Sequence, residues 1–262
     1  MRKISLTMFF VMCFAFIVHA GEDSVFSAFC DDVKCDYINF YSGENLLKLG
    51  GGLAAGAILA NSTADEDIYE WYTNDVKSAN TDDMADMVKE FGNGLITVPV
   101  YAGAYALSVF GDGNKACDIA GEWGQRSLRA IIVGGPAMLA LQVTTGGSRP
   151  TDDEHEYDST WRPFEDGNGV SGHSFMGAVP FISAAKMTKN RAAKSLFYAG
   201  SVLCGLSRIN DEDHYFSQSL LGWWMAYLAV TSVDKTQAED QLVSISPILI
   251  NDCAGVGITW EF

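Results

Sequence analysis

Six apolar segments of 12 to 16 residues constrain the fold of this chain more than any other feature. They are rich in Ala, Leu, Met and Gly, a composition that is typical of closely packed helices rather than of strands. We therefore predict an all-α fold, a helical bundle whose central helices are buried on most sides. The segments are Leu46–Ala60, Leu95–Phe110, Ala130–Thr144, Ser174–Met187, Ser195–Leu206 and Ser219–Val233.

The remaining chain divides into shorter regions. Residues 21–44 are polar, and we expect them to be irregular before a helical domain at 45–240. Within that domain a further amphipathic helix is predicted at Asp82–Phe91, with apolar residues at helical spacing and Asp82 placed to cap it. Residues 241–262 are a strand-like tail, because apolar residues alternate towards the aromatic C-terminus. We expect a short C-terminal strand that packs on the bundle.

The first 20 residues have the composition of a secretory signal peptide. Arg2 and Lys3 precede an almost entirely apolar stretch at 4–18, and Val18-His19-Ala20 supplies the small residues that signal peptidase needs. A membrane anchor is the alternative, but the apolar stretch is shorter than the ~20 residues that span a bilayer. We expect cleavage after Ala20 and a periplasmic or secreted protein.

The six apolar segments also raise the alternative of a polytopic membrane protein. Each segment is shorter than the ~18 apolar residues that mark a spanning helix. Lys and Arg are also too sparse to give a clear positive-inside pattern. We therefore favour a soluble bundle that at most contacts the cell envelope peripherally, and the sequence leaves its oligomeric state open.

Charge argues against one class of partner. The chain has 17 basic and 33 acidic residues, and signal cleavage would remove two basic and no acidic ones, which leaves a net charge of −18. Such a chain does not attract nucleic acid or an anionic membrane surface by charge alone. Any anion-binding site must therefore be built locally against the overall field.

Five cysteines follow the signal peptide, and an exported protein can form disulfides. Cys30 and Cys35 are close in sequence and flanked by polar residues, so they are the first expected pair. Cys204 lies in an apolar run, which predicts a buried free thiol. The two others are Cys117 and Cys253, and the odd number leaves one thiol free or available to a second chain.

Three polar islands interrupt the apolar segments where helices begin or end. They are Gly146–Pro150, Gly169–His173 and Leu206–His214. Each combines flexible backbone with an Arg or a His. Guanidinium forks suit phosphate oxygens, and the free N–H groups at a helix start favour an anion. One histidine could act as a nucleophile and the other as a proton donor.

The order and spacing of these islands resemble the three-part signature of the type 2 phosphatidic acid phosphatase superfamily. That superfamily also contains the bacterial class A acid phosphatases and the vanadium-dependent haloperoxidases. The resemblance covers about residues 95–233, and three islands in order are far more specific than one. The matching motifs are Arg149-Pro150, Ser171-Gly172-His173 and Ser207-Arg208-x5-His214.

The resemblance implies a fold, a site and a mechanism. The fold would be a helical bundle of the acid phosphatase and vanadium haloperoxidase type, with its site at the helix ends. His214 would attack phosphorus to form a phospho-histidine, and His173 would protonate the leaving oxygen. This chemistry needs no metal and no cofactor. The phosphoryl oxygens would be held by Arg149, Arg208 and the backbone of Ser171 and Gly172.

Two positions depart from the family pattern. Gln142 stands where the family has a Lys, seven residues before Arg149, so the anion would keep a hydrogen-bond donor but lose a cation. Gln218 stands where the family has an Asp, four residues after His214, and should face that histidine on a helix. A Gln can orient the imidazole without stabilising its positive form, which could cost ~10⁴ in rate. We expect Gln218→Asp to raise activity.

These residues predict an exported phosphatase, a metal-independent hydrolase of phosphomonoesters or lipid (pyro)phosphates. The alternatives are a catalytically impaired oxyanion-binding envelope protein of the same fold and a vanadate-dependent haloperoxidase. Two further features have simpler explanations. The acidic run Asp152–Glu156 could bind a divalent cation but is more typical of a solvated loop. Arg162 could replace the charge missing at Gln142, although a surface cation is the more ordinary role.

Overall fold

The computed structural model of the protein describes residues 23–111, 113–151, 157–250 and 253–260. Helices dominate these residues, which confirms the all-α prediction. A π-helix at Tyr72–Val76 follows α3, and a 3₁₀ helix at Lys89–Gly92 follows α4. The α-helices are α1 (Asp23–Phe40), α2 (Gly43–Ala60), α3 (Ala64–Trp71), α4 (Ala79–Val88), α5 (Gly94–Phe110), α6 (Lys115–Thr145), α7 (Gly172–Met187), α8 (Arg191–Ser201), α9 (Leu203–Asn210) and α10 (Phe216–Leu242). The expected signal peptide lies outside the described residues.

The expectation that residues 21–44 are irregular was wrong, because α1 and the start of α2 occupy them. One side of α1 packs on the core through Tyr37 and Phe40. On the same side Asp36 is fully buried and pairs with Arg129 of α6 through two hydrogen bonds of 2.7 and 2.8 Å. The polar composition concealed this helix because part of its buried face is itself charged.

The centre of the bundle is formed by α6, α7 and α10. Val133, Phe175, Met225 and Ala229 from these helices are all fully buried. Gly134 lets α6 approach its neighbours closely, since a Cβ there would lie 2.7 Å from the Cβ of Ala229. This packing fixes the ends of the helices that carry the polar islands.

Several predicted helix boundaries were wrong. The helix expected to begin at Asp82 begins three residues earlier, where Ser78 and Thr81 form a reciprocal capping box. It ends at Val88 and continues as the 3₁₀ helix. The segment expected at 195–206 is two helices, α8 and α9, which separate at Val202. The sequence analysis also missed α3 and the π-helix.

The C-terminal tail forms two strands rather than the one expected. β1 (Val243–Ile250) follows α10 directly and pairs with β2 (Cys253–Trp260) as an antiparallel hairpin. The second strand contains most of the alternating sequence that predicted it. Pro247 concealed the first strand, because a proline within a run argues against a strand.

Among the described helices only α6 is long and apolar enough to cross a membrane by length and composition. The bent combination of α4, its 3₁₀ extension and α5, with an angle of 54°, would qualify as a second span. Core helices of soluble proteins meet the same criteria. The described helices therefore do not supply the six spans that the polytopic alternative requires.

The expected Cys30–Cys35 disulfide was wrong, since Cys30 is a free thiol. Both residues lie on α1, where five positions rotate a side chain by about 140° around the helix axis. The two side chains therefore leave different sides of one helix. Cys204 is a buried free thiol as predicted, and burial raises its pKa to about 11.

Candidate active site

The three polar islands meet at one end of the bundle, where hydrogen bonds join them. The side-chain amide nitrogen of Gln218 donates to the carbonyl of Ser148 at 2.7 Å, and the backbone carbonyl of Gln218 accepts from the N–H of Ser171 at 2.9 Å. Nη1 of Arg149 donates to Asp213 at 2.9 Å. The start of α10 thus ties the end of α6 to the start of α7.

Gly146 lets the chain turn sharply out of α6. It has a left-handed φ of 63°, and a Cβ there would lie 1.8 Å from the carbonyl oxygen of Arg162. Only glycine suits this position, which caps the helix and directs the chain towards Arg149. The side chain of Arg162 pairs with Asp158 in its own loop. It does not replace the charge missing at Gln142 in this arrangement.

The start of α7 offers backbone donors to an anion, but not through Ser171. The hydroxyl of Ser171 caps the helix by accepting from the N–H of Ser174, and its own N–H is bonded to the carbonyl of Gln218. Gly172 and His173 are the first two residues of the helix, where N–H groups have no acceptor within the helix. The predicted backbone contribution therefore falls to these two residues.

Gln142 lies beside this backbone. Its amide nitrogen donates to the carbonyl of Val170 at 2.7 Å, and a Cβ on Gly172 would lie 3.4 Å from the same nitrogen. Gln142 therefore supports the loop before α7. Its neutral amide can add at most a hydrogen bond to an anion, so the positive charge of the family lysine is not restored here.

His214 is held in one orientation by Gln218. Its Nδ1 lies 2.8 Å from Oε1 of Gln218, which also accepts from the backbone N–H of Tyr215. The carbonyl of Ser148 can only accept, so it fixes the amide nitrogen of Gln218 on the opposite side. This bonding assigns the proton to Nδ1 of His214 and leaves a lone pair on its Nε2.

Burial and neighbouring cations keep both histidines neutral at neutral pH. Burial lowers the pKa of His214 to about 4, and the positive charges of Arg149 and Arg208 act in the same direction. The hydrogen bond that His214 donates to Gln218 acts to raise the pKa. The pKa of His173 is lowered by partial burial and by the same two arginines. A neutral imidazole is the form that can act as a nucleophile.

The two arginines predicted to bind phosphate share the carboxylate of Asp213. Arg149 contacts one oxygen of this carboxylate and Arg208 contacts the other. Arg208 also pairs with Asp211 at 3.1 Å, while its Nε is buried and has no hydrogen-bond partner among the described residues. Neither acidic residue was predicted from the sequence to belong to the site, although both lie within three residues of His214.

The turn that carries His214 is anchored from outside the three islands. Glu212 has a left-handed φ of 59°, and its carboxylate contacts Nζ of Lys77 at 2.5 Å and the hydroxyl of Tyr69 at 2.6 Å. Asp65 of α3 is fully buried and accepts from the backbone N–H of Ser217 at 2.9 Å. The sequence analysis assigned no role to α3 or to Lys77, because contacts so distant in sequence leave no local pattern.

An apolar groove with a volume of about 410 Å³ opens near His173. The 3₁₀ helix lies between the groove and His173. A Cβ on Gly92 would lie 2.7 Å from the carbonyl of His173, and the charge of Glu90 partly opposes the lowering of the His173 pKa. Glu90 is also part of the groove wall. The apolar lining includes Met87, Phe91, Ile96, Val100, Phe181 and Phe197.

Within the described ranges, no cluster of three or more His, Cys, Asp or Glu side chains could hold a metal ion. The acidic run Asp152–Glu156 lies outside those ranges. Its two predicted roles, cation site or solvated loop, stay predictions.

A family model described as the PAP2 superfamily matches residues 127–239. The match runs from α6 to α10 and includes all three islands. Neither a search of curated proteins nor a search of solved structures found a match. Proteins of this superfamily have phosphatase or haloperoxidase-type functions. The family match, the all-α fold and the meeting of the three islands confirm the resemblance of residues 127–239 to the PAP2 superfamily.

Proposed function

We propose that this protein is a phosphatase that acts through a phospho-histidine at His214. One observation carries the proposal: a buried, neutral His214 has its Nδ1 bonded to Gln218 while two arginines lie close enough to lower its pKa. Nε2 of His214 therefore keeps a lone pair, and the charges of both arginines act on the imidazole. A nucleophile beside guanidinium forks is what phosphoryl transfer requires.

The proposed reaction has two steps. In the first, the lone pair on Nε2 of His214 attacks phosphorus, and the bond to the leaving oxygen breaks as His173 gives that oxygen a proton. In the second, water attacks the phospho-histidine, His173 takes a proton from the water, and inorganic phosphate leaves with His214 restored. His173 needs a proton for the first step, and the negative charge of a bound substrate favours the protonated form.

Positive groups would offset the charge that spreads over the phosphoryl oxygens. Arg149 and Arg208 supply two guanidinium groups, and the backbone N–H groups of Gly172 and His173 point out of the start of α7. Gln142 contributes no charge, so the site has one cation fewer than the family pattern. We infer that the arginines and the helix start carry most of the anion binding.

The groove near His173 supports a substrate with an apolar leaving group. His173 protonates the leaving oxygen in the proposed mechanism, so the leaving group must lie on the His173 side of phosphorus. Glu90, whose charge acts on His173, also lines the apolar groove, and this link supports an apolar leaving group. We propose that lipid (pyro)phosphates are better substrates than small polar phosphomonoesters.

A second candidate function is anion binding without turnover. Gln142 is engaged by the carbonyl of Val170, and Gln218 gives His214 no negative charge. The second fact weakens catalysis more than binding, because charge on the imidazole develops only during the reaction. A vanadate-dependent haloperoxidase is the third candidate, since the same site geometry could hold vanadate.

One set of assays separates these candidates. The mature chain, residues 21–262, is assayed on small phosphomonoesters and on lipid phosphates beside His214→Ala, with His155→Ala as a matched histidine control outside the three islands. We expect His214→Ala to lose at least ~10³ in kcat/KM and the control to lose little.

Three results would contradict the proposal. Equal turnover by wild type and His214→Ala would exclude the phospho-histidine mechanism. Phosphate or vanadate binding without turnover would support the non-catalytic candidate. Halide oxidation that appears only with added vanadate would support the haloperoxidase.

We also propose that the protein is exported after cleavage at Ala20. The basic start and the short apolar stretch support this proposal. N-terminal sequencing of protein recovered from the periplasm or the medium should begin at Gly21. Recovery of the full chain with membranes, starting at Met1, would indicate an uncleaved anchor.

A further inference from the structure

Asp213 lies between the two arginines that the proposed site uses to bind substrate. One carboxylate oxygen is 2.9 Å from Nη1 of Arg149, and the other contacts Nη2 of Arg208. A phosphoryl group held by both arginines would need the same donors. The carboxylate is therefore placed to compete with phosphate for the pair.

A fixed turn presents this carboxylate. The backbone N–H groups of Asp213 and His214 both donate to the carbonyl of Arg208, at 3.0 and 3.2 Å. Glu212, the preceding residue, is anchored by Lys77 and Tyr69. The backbone of Asp213 is thus held in place, and a change at the site must come from rotation of its side chain.

The two sides of the contact differ in exposure. The side chain of Arg208 is 11% exposed, whereas that of Asp213 is 26% exposed and can rotate towards solvent. Arg208 also has one unused donor. Its Nε is buried without a hydrogen-bond partner among the described residues, whereas its Nη1 is bonded to Asp211. A ligand that displaces Asp213 can therefore take Nη2 and also use Nε of Arg208.

We propose that Asp213 is an internal counter-anion, which occupies the arginine pair in the resting site and exchanges with the phosphoryl group. It is a positioning residue, since it acts through Arg149 and Arg208 rather than on the reacting atoms. On substrate entry the carboxylate moves out, and after hydrolysis it returns and helps to expel inorganic phosphate. The exchange favours dianionic phosphomonoesters over monoanionic diesters, because only a dianion brings more charge than the carboxylate it displaces.

The test measures binding, so it does not depend on turnover. Inorganic phosphate and orthovanadate are titrated calorimetrically into the mature protein and three variants, Asp213→Asn, Asp213→Glu and Asp211→Asn. Loss of the competing charge in Asp213→Asn should lower the Kd by about tenfold or more. Asp213→Glu keeps the charge and should stay within about threefold of wild type. Asp211→Asn should do the same, because among the described residues Asp211 pairs with Arg208 but not with Arg149.

The proposal is overturned by weaker or unchanged binding in Asp213→Asn, by an equal gain in Asp211→Asn, or by no binding in either wild type or Asp213→Asn. If thermal unfolding shows that Asp213→Asn is misfolded, Asp213→Ser removes the same charge and should show the same gain. This inference rests on the proposed anion site, and a parallel hydrolysis assay separates the two. Tighter binding by Asp213→Asn beside an inactive wild type would keep the counter-anion and refute the phosphatase.

Discussion

Two arginines with little exposed surface are bonded very differently in this protein. Arg129 lies in the bundle core with no exposed surface, and its guanidinium donates to both oxygens of Asp36 and also to Asp32 and Gln237. Arg208 lies at the site, shares Asp213 with a second arginine and has an unpartnered Nε among the described residues. The first has the bonding of a structural residue, whereas the second keeps capacity for a ligand.

An open donor alone does not identify a ligand site. Nε of Arg126 is also buried without a partner among the described residues, yet Arg126 pairs with Glu122 and Asp234 on the core side of α6 and α10. What distinguishes Arg208 is its surroundings, since its positive charge lowers the pKa of His173 and of His214. An unpartnered arginine donor therefore indicates a ligand site only where reactive groups lie beside it.

The largest effect on activity is expected from substitution of Arg208. Arg208→Ala should lower kcat/KM by ~10³ or more, because it removes a guanidinium from the transferring phosphoryl group. The free energy of unfolding should change by less than about 2 kcal/mol, since the two carboxylates it leaves are partly exposed. Steady-state kinetics and urea unfolding of the same preparation measure both quantities. Activity loss that merely follows loss of folded protein would make Arg208 structural.

Arg129 should behave in the opposite way. Arg129→Met leaves the fully buried Asp36 without its partner and should cost about 3–5 kcal/mol of unfolding free energy, while kcat of the folded fraction stays near wild type. Urea unfolding gives the first value and kinetics below the transition give the second. The double variant Arg129→Met with Asp36→Leu should recover much of the stability, because no buried charge is left. A double variant no more stable than the single one would contradict this account.

Substitution of Gln218 tests how the residue that orients His214 affects catalysis. Its amide nitrogen donates to Ser148, so Gln218→Glu would turn a carboxylate oxygen towards a carbonyl that cannot donate. A lost buried hydrogen bond costs about 1–3 kcal/mol, which predicts about a tenfold fall in kcat. The sequence-based expectation that Gln218→Asp raises activity stays a prediction, and the shorter side chain tests it separately. Kinetics of Gln218→Glu, Gln218→Asp and Gln218→Ala decide it, and a rise in either acidic variant would show that charge beside His214 matters more than the bond to Ser148.

The smallest expected effect is on pH dependence. His214 must be neutral to attack, and burial lowers its pKa to about 4, so kcat/KM should fall as the pH drops below that value. Arg149 also lowers this pKa, so Arg149→Gln should move the acidic limb upwards by less than about one pH unit. Arg191→Gln is the control, because Arg191 is not among the main groups that shift the pKa of His214. A downward shift in Arg149→Gln would refute the electrostatic coupling.

Sequence alone predicted the central helices and the residues that meet at the site. Apolar segments longer than 13 residues mark α2, α5, α6, α7 and α10, because burial of one stretch is a local property. Prediction from sequence failed for α1, because its buried side includes Asp36. The burial of Asp36 depends on Arg129 from another helix. When a charged residue is buried because it pairs with a residue distant in sequence, its own segment shows no apolar pattern.

The site shows the same division. The motif residues come together as expected, but the contacts of the departing residues did not follow from the resemblance. Gln142 bonds to Val170, and Gln218 bonds to both His214 and Ser148. Asp213 was overlooked because the family pattern leaves the five residues between Arg208 and His214 unspecified. A motif specifies which positions belong to the site. The contacts that each neutral or acidic neighbour makes depend on the three-dimensional arrangement.

The left-handed turn at Glu212 has a consequence for how this protein can diverge. A non-glycine residue in that conformation costs on the order of 1 kcal/mol, and here Lys77 and Tyr69 hold it in place from outside the family-matched region. Residues outside the family-matched region, such as Tyr69 and Lys77, thus form a frame around it. Substitutions in that frame can retune the nucleophile's turn without touching a motif residue, so relatives with identical motifs need not share the same catalytic rate.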